Sequence, residues 1–163
     1  MKNIYFYDTS IGHIGIAEEA GHIKEFFFEK DLSRQNLMAQ GRYTLLETAV
    51  LKEASVQLEE YLAGRRKIFT LPLAPEGTPF MREIWQWLAG IPYGQTRSYG
   101  HIAAASGKPK ASRAVGMANN RNPIPVFIPC HRVIGSNGKL TGYRGGLEIK
   151  QKLLELEKHY ADI

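Results

Sequence analysis

Three short apolar runs open the chain, at residues 4–7, 11–17 and 23–28. Asp8-Thr9-Ser10 and Glu19-Ala20-Gly21 separate them. Short β-rich runs punctuated by turn residues predict an antiparallel meander. The period then changes. Leu45, Leu46, Ala49, Val50, Ala54, Leu58, Tyr61 and Leu62 recur at helical spacing, and Gly64 follows as a stop. Thr44 and Glu47 stand three apart at the start of that pattern, which predicts a capping box. Residues 69–71 predict one more short strand. Leu73-Ala74-Pro75-Glu76-Gly77 breaks the pattern and reads as a boundary, dividing the chain into residues 1–74 and 75–163.

The second part is mainly helical in its patterning. Thr78 precedes Pro79, a cap followed by proline at the first helical position, and Phe80, Ile84, Trp85 and Leu88 form an apolar face that ends at Gly90. Ser98 predicts the cap of a short helix through residue 105, Ser106-Gly107-Lys108-Pro109 a turn, and residues 110–119 a second helix stopped before Pro123 and Pro125. Two short helices with a glycine-containing turn fit the helix-turn-helix pattern. In the second helix Ala111, Ser112, Ala114 and Gly116 are small, with Arg113 among them. A helix of that kind suits close approach to a DNA groove. The same residues fit equally a tightly packed helix with one solvated arginine. Residues 126–128 read as buried and extended, delivering Pro129-Cys130. Ser136-Asn137-Gly138-Lys139 predicts a hairpin, residues 142–146 a glycine-rich loop, and residues 147–158 a last helix. The expected class is α+β: a small N-terminal antiparallel sheet with a helix, then a mainly helical C-terminal domain containing a helix-turn-helix.

Composition narrows the possibilities. With 44% hydrophobic and 23% charged residues, the chain has an ordinary globular make-up. No run approaches a membrane span, and residues 1–10 lack the apolar core of a signal peptide, so a cytoplasmic protein is expected. A single cysteine excludes an internal disulfide framework and a cysteine-rich zinc site. The net charge of +5 is uneven: residues 1–74 hold 9 Lys+Arg against 10 Asp+Glu, and residues 75–163 hold 12 against 6. The basic half suits a polyanion, with nucleic acid the first candidate.

That half carries the only thiol. Cys130 is followed by His131 and Arg132, and cationic neighbours favour the nucleophilic thiolate. On its own, a lone cysteine fits a buried small hydrophobe as readily. In the last helix, Ile149, Leu153 and Leu154 form an apolar stripe, and Glu157 projects from the same face. A carboxylate there is costly without a partner, and His131 is the candidate, giving a nucleophile, a base and an orienter. Glu157 also fits a side chain snorkelling from the end of a helix.

Pro-Cys-His-Arg-Val at residues 129–133 resembles the active-site motif of the O6-alkylguanine-DNA alkyltransferases, the suicide DNA-repair proteins. Ile91-Pro92-Tyr93-Gly94, Ser98-Tyr99-Gly100, Arg113-Ala114-Val115-Gly116, Asn122-Pro123 and Gly142-Tyr143-Arg144-Gly145-Gly146 occur in the family's order around it. The resemblance implies Cys130 as alkyl acceptor, His131 as its base through a water, Glu157 as orienter, and Asn122 as support for the turn leading to the cysteine. It implies that Tyr99 rotates the target nucleotide and donates to its ring nitrogen, and that Arg113 replaces the extruded base. Ala111, Ser112 and Gly116 would meet the minor groove. Pro125, Val133, Tyr143 and the backbone around Arg144 would line the guanine pocket. The expected partner is double-stranded DNA containing alkylated guanine, met by a monomer without metal or cofactor. The chain departs from some members in lacking cysteines for a structural zinc site, in Met117 after Gly116, and in Arg144 at the pocket lid. Transfer of a methyl or small alkyl group from guanine O6, and also from thymine O4, to Cys130 is the implied reaction.

Overall fold

The computed structural model describes residues 1–163. The chain divides into two compact units, Met1–Pro75 and Glu76–Ile163.

In the first unit, strands β1 (Lys2–Thr9), β2 (Gly12–Glu19) and β3 (His22–Phe27) form the expected antiparallel meander. Alternation places Ile4, Phe6, Ile14, Ile16, Ile23 and Phe26 in the core. Helix α1 (Arg34–Ala39), capped by the Ser33 side chain, was not foreseen. Strand β4 (Tyr43–Leu45) then joins β1 in parallel, so the sheet runs β3-β2-β1-β4 and is mixed rather than purely antiparallel.

That pairing overturns the predicted capping box. Thr44 and Leu45 sit opposite Asn3 and Ile4, and Glu47 accepts a hydrogen bond from Tyr7 Oη at 2.9 Å. Helix α2 (Ala49–Leu62) therefore starts later, after Thr48, whose side chain makes no cap bond. Its buried face, Leu51, Ala54, Gln57, Leu58 and Tyr61, includes one polar residue. Gln57 explains the missing strand at residues 69–71. Its amide donates to Thr70 Oγ1 and accepts from the Thr70 backbone N–H, both at 2.9 Å. Thr70 thus spends its N–H on a side chain, and ladder-type contact is delayed to a single bridge between Ile23 and Leu73.

In the second unit, Thr78 caps α3 (Pro79–Ala89) and Ser98 caps α4 (Tyr99–Ala105), each accepting from the N–H three residues on. Strand β5 (Arg97–Ser98) immediately precedes α4. Helix α5 (Ser112–Asn120) begins two residues later than predicted and packs on α3 and α4. Trp85, 2% exposed, ties α3 to α5 by donating Nε1–H to Ala118 O at 2.8 Å. The face of α5 left outside carries Arg113, Ala114, Met117 and Asn120.

Two further expectations give way to turns. Residues 126–128 are buried but not a strand. Val126 has φ +74°, and Ile128 N–H returns to Ile124 O at 2.9 Å, folding the run on itself. Strand β6 (Val133–Ile134), which leads into the predicted hairpin turn, pairs in parallel with β5. The Asn137-Gly138 turn does close, through Gly135 N–H to Lys139 O at 3.0 Å, but no hairpin ladder extends from it. Helix α6 (Leu147–Tyr160) completes the unit. No helix is long and apolar enough to cross a membrane.

Candidate active site

Asn122 organises the approach to the cysteine. Its Nδ2 donates to Ile128 O at 2.9 Å and its Oδ1 accepts from Ile124 N–H at 3.0 Å. One amide thus closes both ends of the apolar loop of residues 124–128, and satisfies backbone groups that burial would otherwise strand. Pro125, like the rest of that loop, is buried. The chain then enters a 3-10 turn, Cys130–Arg132, with Cys130 N–H on Ile128 O at 2.8 Å. Cys130 is 4% exposed.

The turn sets Cys130 apart from His131 and Arg132, which converge on one carboxylate. Burial pushes the Cys130 thiol above its usual range, opposed by a hydrogen bond from Asn122 and by the charges of Lys150 and Arg144. The cations acting on the sulfur are therefore not the sequence neighbours first expected to act. His131, fully buried, places Nε2 2.7 Å from Glu157 Oε2. Arg132 turns to the same carboxylate: Nε donates to Oε1 at 2.8 Å and Nη2 to Oε2 at 3.0 Å, while Nη1 reaches Ile91 O at 2.6 Å.

Glu157, 1% exposed on α6, is thus a hub rather than one end of a pair. It also accepts from Gly94 N–H at 3.1 Å. Gly94 has φ +78°, and a Cβ there would lie 2.8 Å from Ala161 Cβ, so the close approach that makes this bond needs glycine. Burial works to raise the Glu157 carboxyl, but His131 and Arg132 outweigh it and hold the group at about 2. Burial lowers His131, favouring neutral imidazole. An ionised carboxylate only accepts, so Nε2 carries the imidazole proton and Nδ1 carries the basic lone pair.

The remaining candidates fall into two groups. Around the cysteine, Val133 and Tyr143 are buried. Tyr143, neutral because burial raises its phenol, interacts electrostatically with Cys130. Arg144 Nη1 donates to Asn122 O at 3.0 Å. Around the helix pair, Arg113 is exposed, Ala111 and Ser112 are half-buried, and Gly116 backs the Tyr99 ring, where an added Cβ would lie 3.7 Å from Cδ1. Tyr99 Oη lies 2.6 Å from Thr141 Oγ1.

Three contributors escaped the sequence reading. Arg132 stood in the motif but was assigned to the thiol. Lys150 is fully buried, donates to Thr141 O at 3.0 Å, and is lowered by burial to about 8. Spacing offered a signal for it, since Lys150, Leu153 and Glu157 share the buried face of α6. Thr141 offered none, because its contacts depend on the path of a loop.

Comparison with known proteins shows the family. Residues 4–75 match the family model described as 6-O-methylguanine DNA methyltransferase, ribonuclease-like domain, and residues 79–159 that described as 6-O-methylguanine DNA methyltransferase, DNA binding domain. The chain is 49% identical over 154 residues to the constitutive methylated-DNA--protein-cysteine methyltransferase of Bacillus subtilis, covering 93% of this chain and 92% of that one. It is 48% identical over 157 residues to the methylated-DNA--protein-cysteine methyltransferase of Methanosarcina barkeri, covering 94% and 98%. The solved structure of Mycobacterium tuberculosis OGT in complex with DNA superimposes with a TM-score of 0.88 at 41% identity, covering 97% of this chain and 94% of that one. The two matched domains and these near full-length relatives place the chain in the 6-O-methylguanine DNA methyltransferase family.

Proposed function

We propose that this protein repairs DNA by moving a methyl or small alkyl group from guanine O6, and from thymine O4, irreversibly to Cys130. The carrying observation is the buried chain of groups Cys130, His131, Glu157 and Arg132 in one turn and one helix. Neutral His131, with Nδ1 basic, takes the thiol proton through a water. The thiolate sulfur attacks the alkyl carbon, the S–C bond forms as the C–O bond breaks, and the electron pair leaves with the guanine. Tyr99 donates to the ring nitrogen where charge develops, and the guanine ends protonated. Glu157 fixes the imidazole tautomer, and Lys150 and Arg144 favour the thiolate once the thiol proton is drawn off.

Guanine O6 lies on the major-groove edge of a stacked base, out of reach of a buried thiol that approaches from the minor groove, so the nucleotide must be extruded. In this reading a monomer sets α5 in the minor groove, with the small residues Ala111, Ser112 and Gly116 keeping the helix slim and the exposed Arg113 filling the vacated stack. Pro125, Val133, Tyr143 and the Arg144 backbone then line the base. The thioether is a poor leaving group, so each molecule reacts once. No metal or cofactor enters, and the work is done on DNA in the cytoplasm.

The test is to mix the protein with a duplex containing O6-methylguanine and weigh it. One methyl per chain, on the Cys130 peptide and stopping at one equivalent, is the expected result. Cys130→Ala should bind the duplex and gain nothing. Multiple turnover, or a methyl on Cys130→Ala, would end this reading.

A further inference from the structure

Tyr99 does not stand alone at the start of α4. Its hydroxyl lies 2.6 Å from Thr141 Oγ1, in the loop leading to α6. A phenol has a single proton, so this contact decides where that proton points. If Tyr99 donates to Thr141, its proton is spent inside the protein. If Thr141 donates to Tyr99, the phenol proton is left for a ligand.

Thr141 is itself held on its other side. Its carbonyl accepts from Lys150 Nζ at 3.0 Å, and Lys150 is buried on α6, where its charge acts on the Cys130 sulfur. The Tyr99 ring meanwhile has Gly116 of α5 behind it. The phenol is therefore braced by α5 on its ring and by Thr141 at its oxygen, and Thr141 is braced by the lysine next to the acceptor thiol. Thr141 thus links the phenol to the helix that carries Lys150.

We propose that Thr141 is a positioning residue for alkyl transfer: its hydroxyl donates to Tyr99 Oη, holding the phenol in place and turning its one proton towards the extruded base. This rests on the reading of Tyr99 and Cys130 given above. A hydroxyl that accepts one hydrogen bond while donating another is also the better donor, because linked hydrogen bonds polarise each other. Thr141 is then active through Tyr99 alone and touches no reacting atom.

The prediction is a double-mutant cycle on the single-turnover rate of methyl transfer from an O6-methylguanine duplex. Thr141→Val keeps the shape and removes the hydroxyl, and should slow transfer by about fivefold, the loss of one neutral hydrogen bond. Thr141→Ser should restore the rate. In a Tyr99→Phe background, Thr141→Val should change nothing further, because the oxygen it acts on is gone. Duplex affinity and the thermal midpoint of Thr141→Val should match the parent, which separates positioning from folding. A Thr141→Val rate equal to or above that of the parent overturns the proposal. So does a failure of Thr141→Ser to rescue, or an equal loss with and without the Tyr99 hydroxyl. If the parent protein gains no alkyl group on Cys130, the functional reading itself falls. If the parent does gain it and Thr141→Val is indistinguishable, only Thr141 is dismissed.

Discussion

Arg132 carries more of the site's electrostatics than its place beside a thiol suggests. It gives Glu157 a bidentate partner with a permanent charge, whereas His131 is neutral at rest. Replacing Arg132 with Met would leave a buried carboxylate without that charge, and urea denaturation at neutral pH should show a loss of about 3–5 kcal/mol. The pH dependence follows from the sign of the shift. Glu157 is depressed from 4.5 to about 2, so its contribution is complete above 4.5 and is lost as pH falls towards 2. In Arg132→Met the depression shrinks, and that acid-limb loss should move upwards towards pH 4.5 in unfolding curves taken across the window. Much of this centre was legible. The stripe of Ile149, Leu153 and Leu154 put Glu157 on an apolar face, and the cost of a carboxylate there demanded a partner; Leu153 and Glu157 are buried on α6 and the other two half-buried. The second partner was not legible, because spacing along α6 does not say how many side chains of the Cys130–Arg132 turn reach Glu157. Thr141 lay beyond reach altogether, since no periodicity governs a loop.

At the scale of elements, the patterning located every long helix and the three-strand meander, and it failed where tertiary pairing competed with local preference. Thr44 and Leu45 satisfy a helix start, but β1 offers them a ladder, and the sheet wins. Residues 126–128 have the apolar run of a strand, yet Asn122 clamps both ends of their loop into a turn. The contact of α3 with α5 gives a direct test of packing. An added Cβ on Gly77 would overlap Trp85 Cη2 and lie 2.8 Å from Cζ3, and the ring cannot swing away without breaking its bond to Ala118 O. Gly77→Ala should therefore destabilise the protein by about 1–3 kcal/mol in urea denaturation, the usual cost of overpacking. The tryptophan emission of the folded variant should shift as the ring is displaced.

Across the whole molecule the charge is segregated, with the excess of Lys and Arg in residues 75–163. Lys108 is paired with Glu83, while Lys110, Arg113, Arg121 and Lys139 are exposed. Duplex binding should then fall by at least about tenfold between roughly 50 and 200 mM salt, as phosphate contacts compete with counterions. Transfer from a free alkylated base, which lacks a phosphate backbone, should barely respond. A measured duplex affinity that ignores salt would place the binding energy elsewhere. The single buried thiol has a consequence of another kind. On the proposed function, a molecule that reacts once and at one thiol keeps a binary memory: each chain states whether it has met a lesion. The population is then a dosimeter. Its alkylated fraction integrates exposure over the lifetime of the protein, and the weight of the chains reports that history after the DNA itself has been restored.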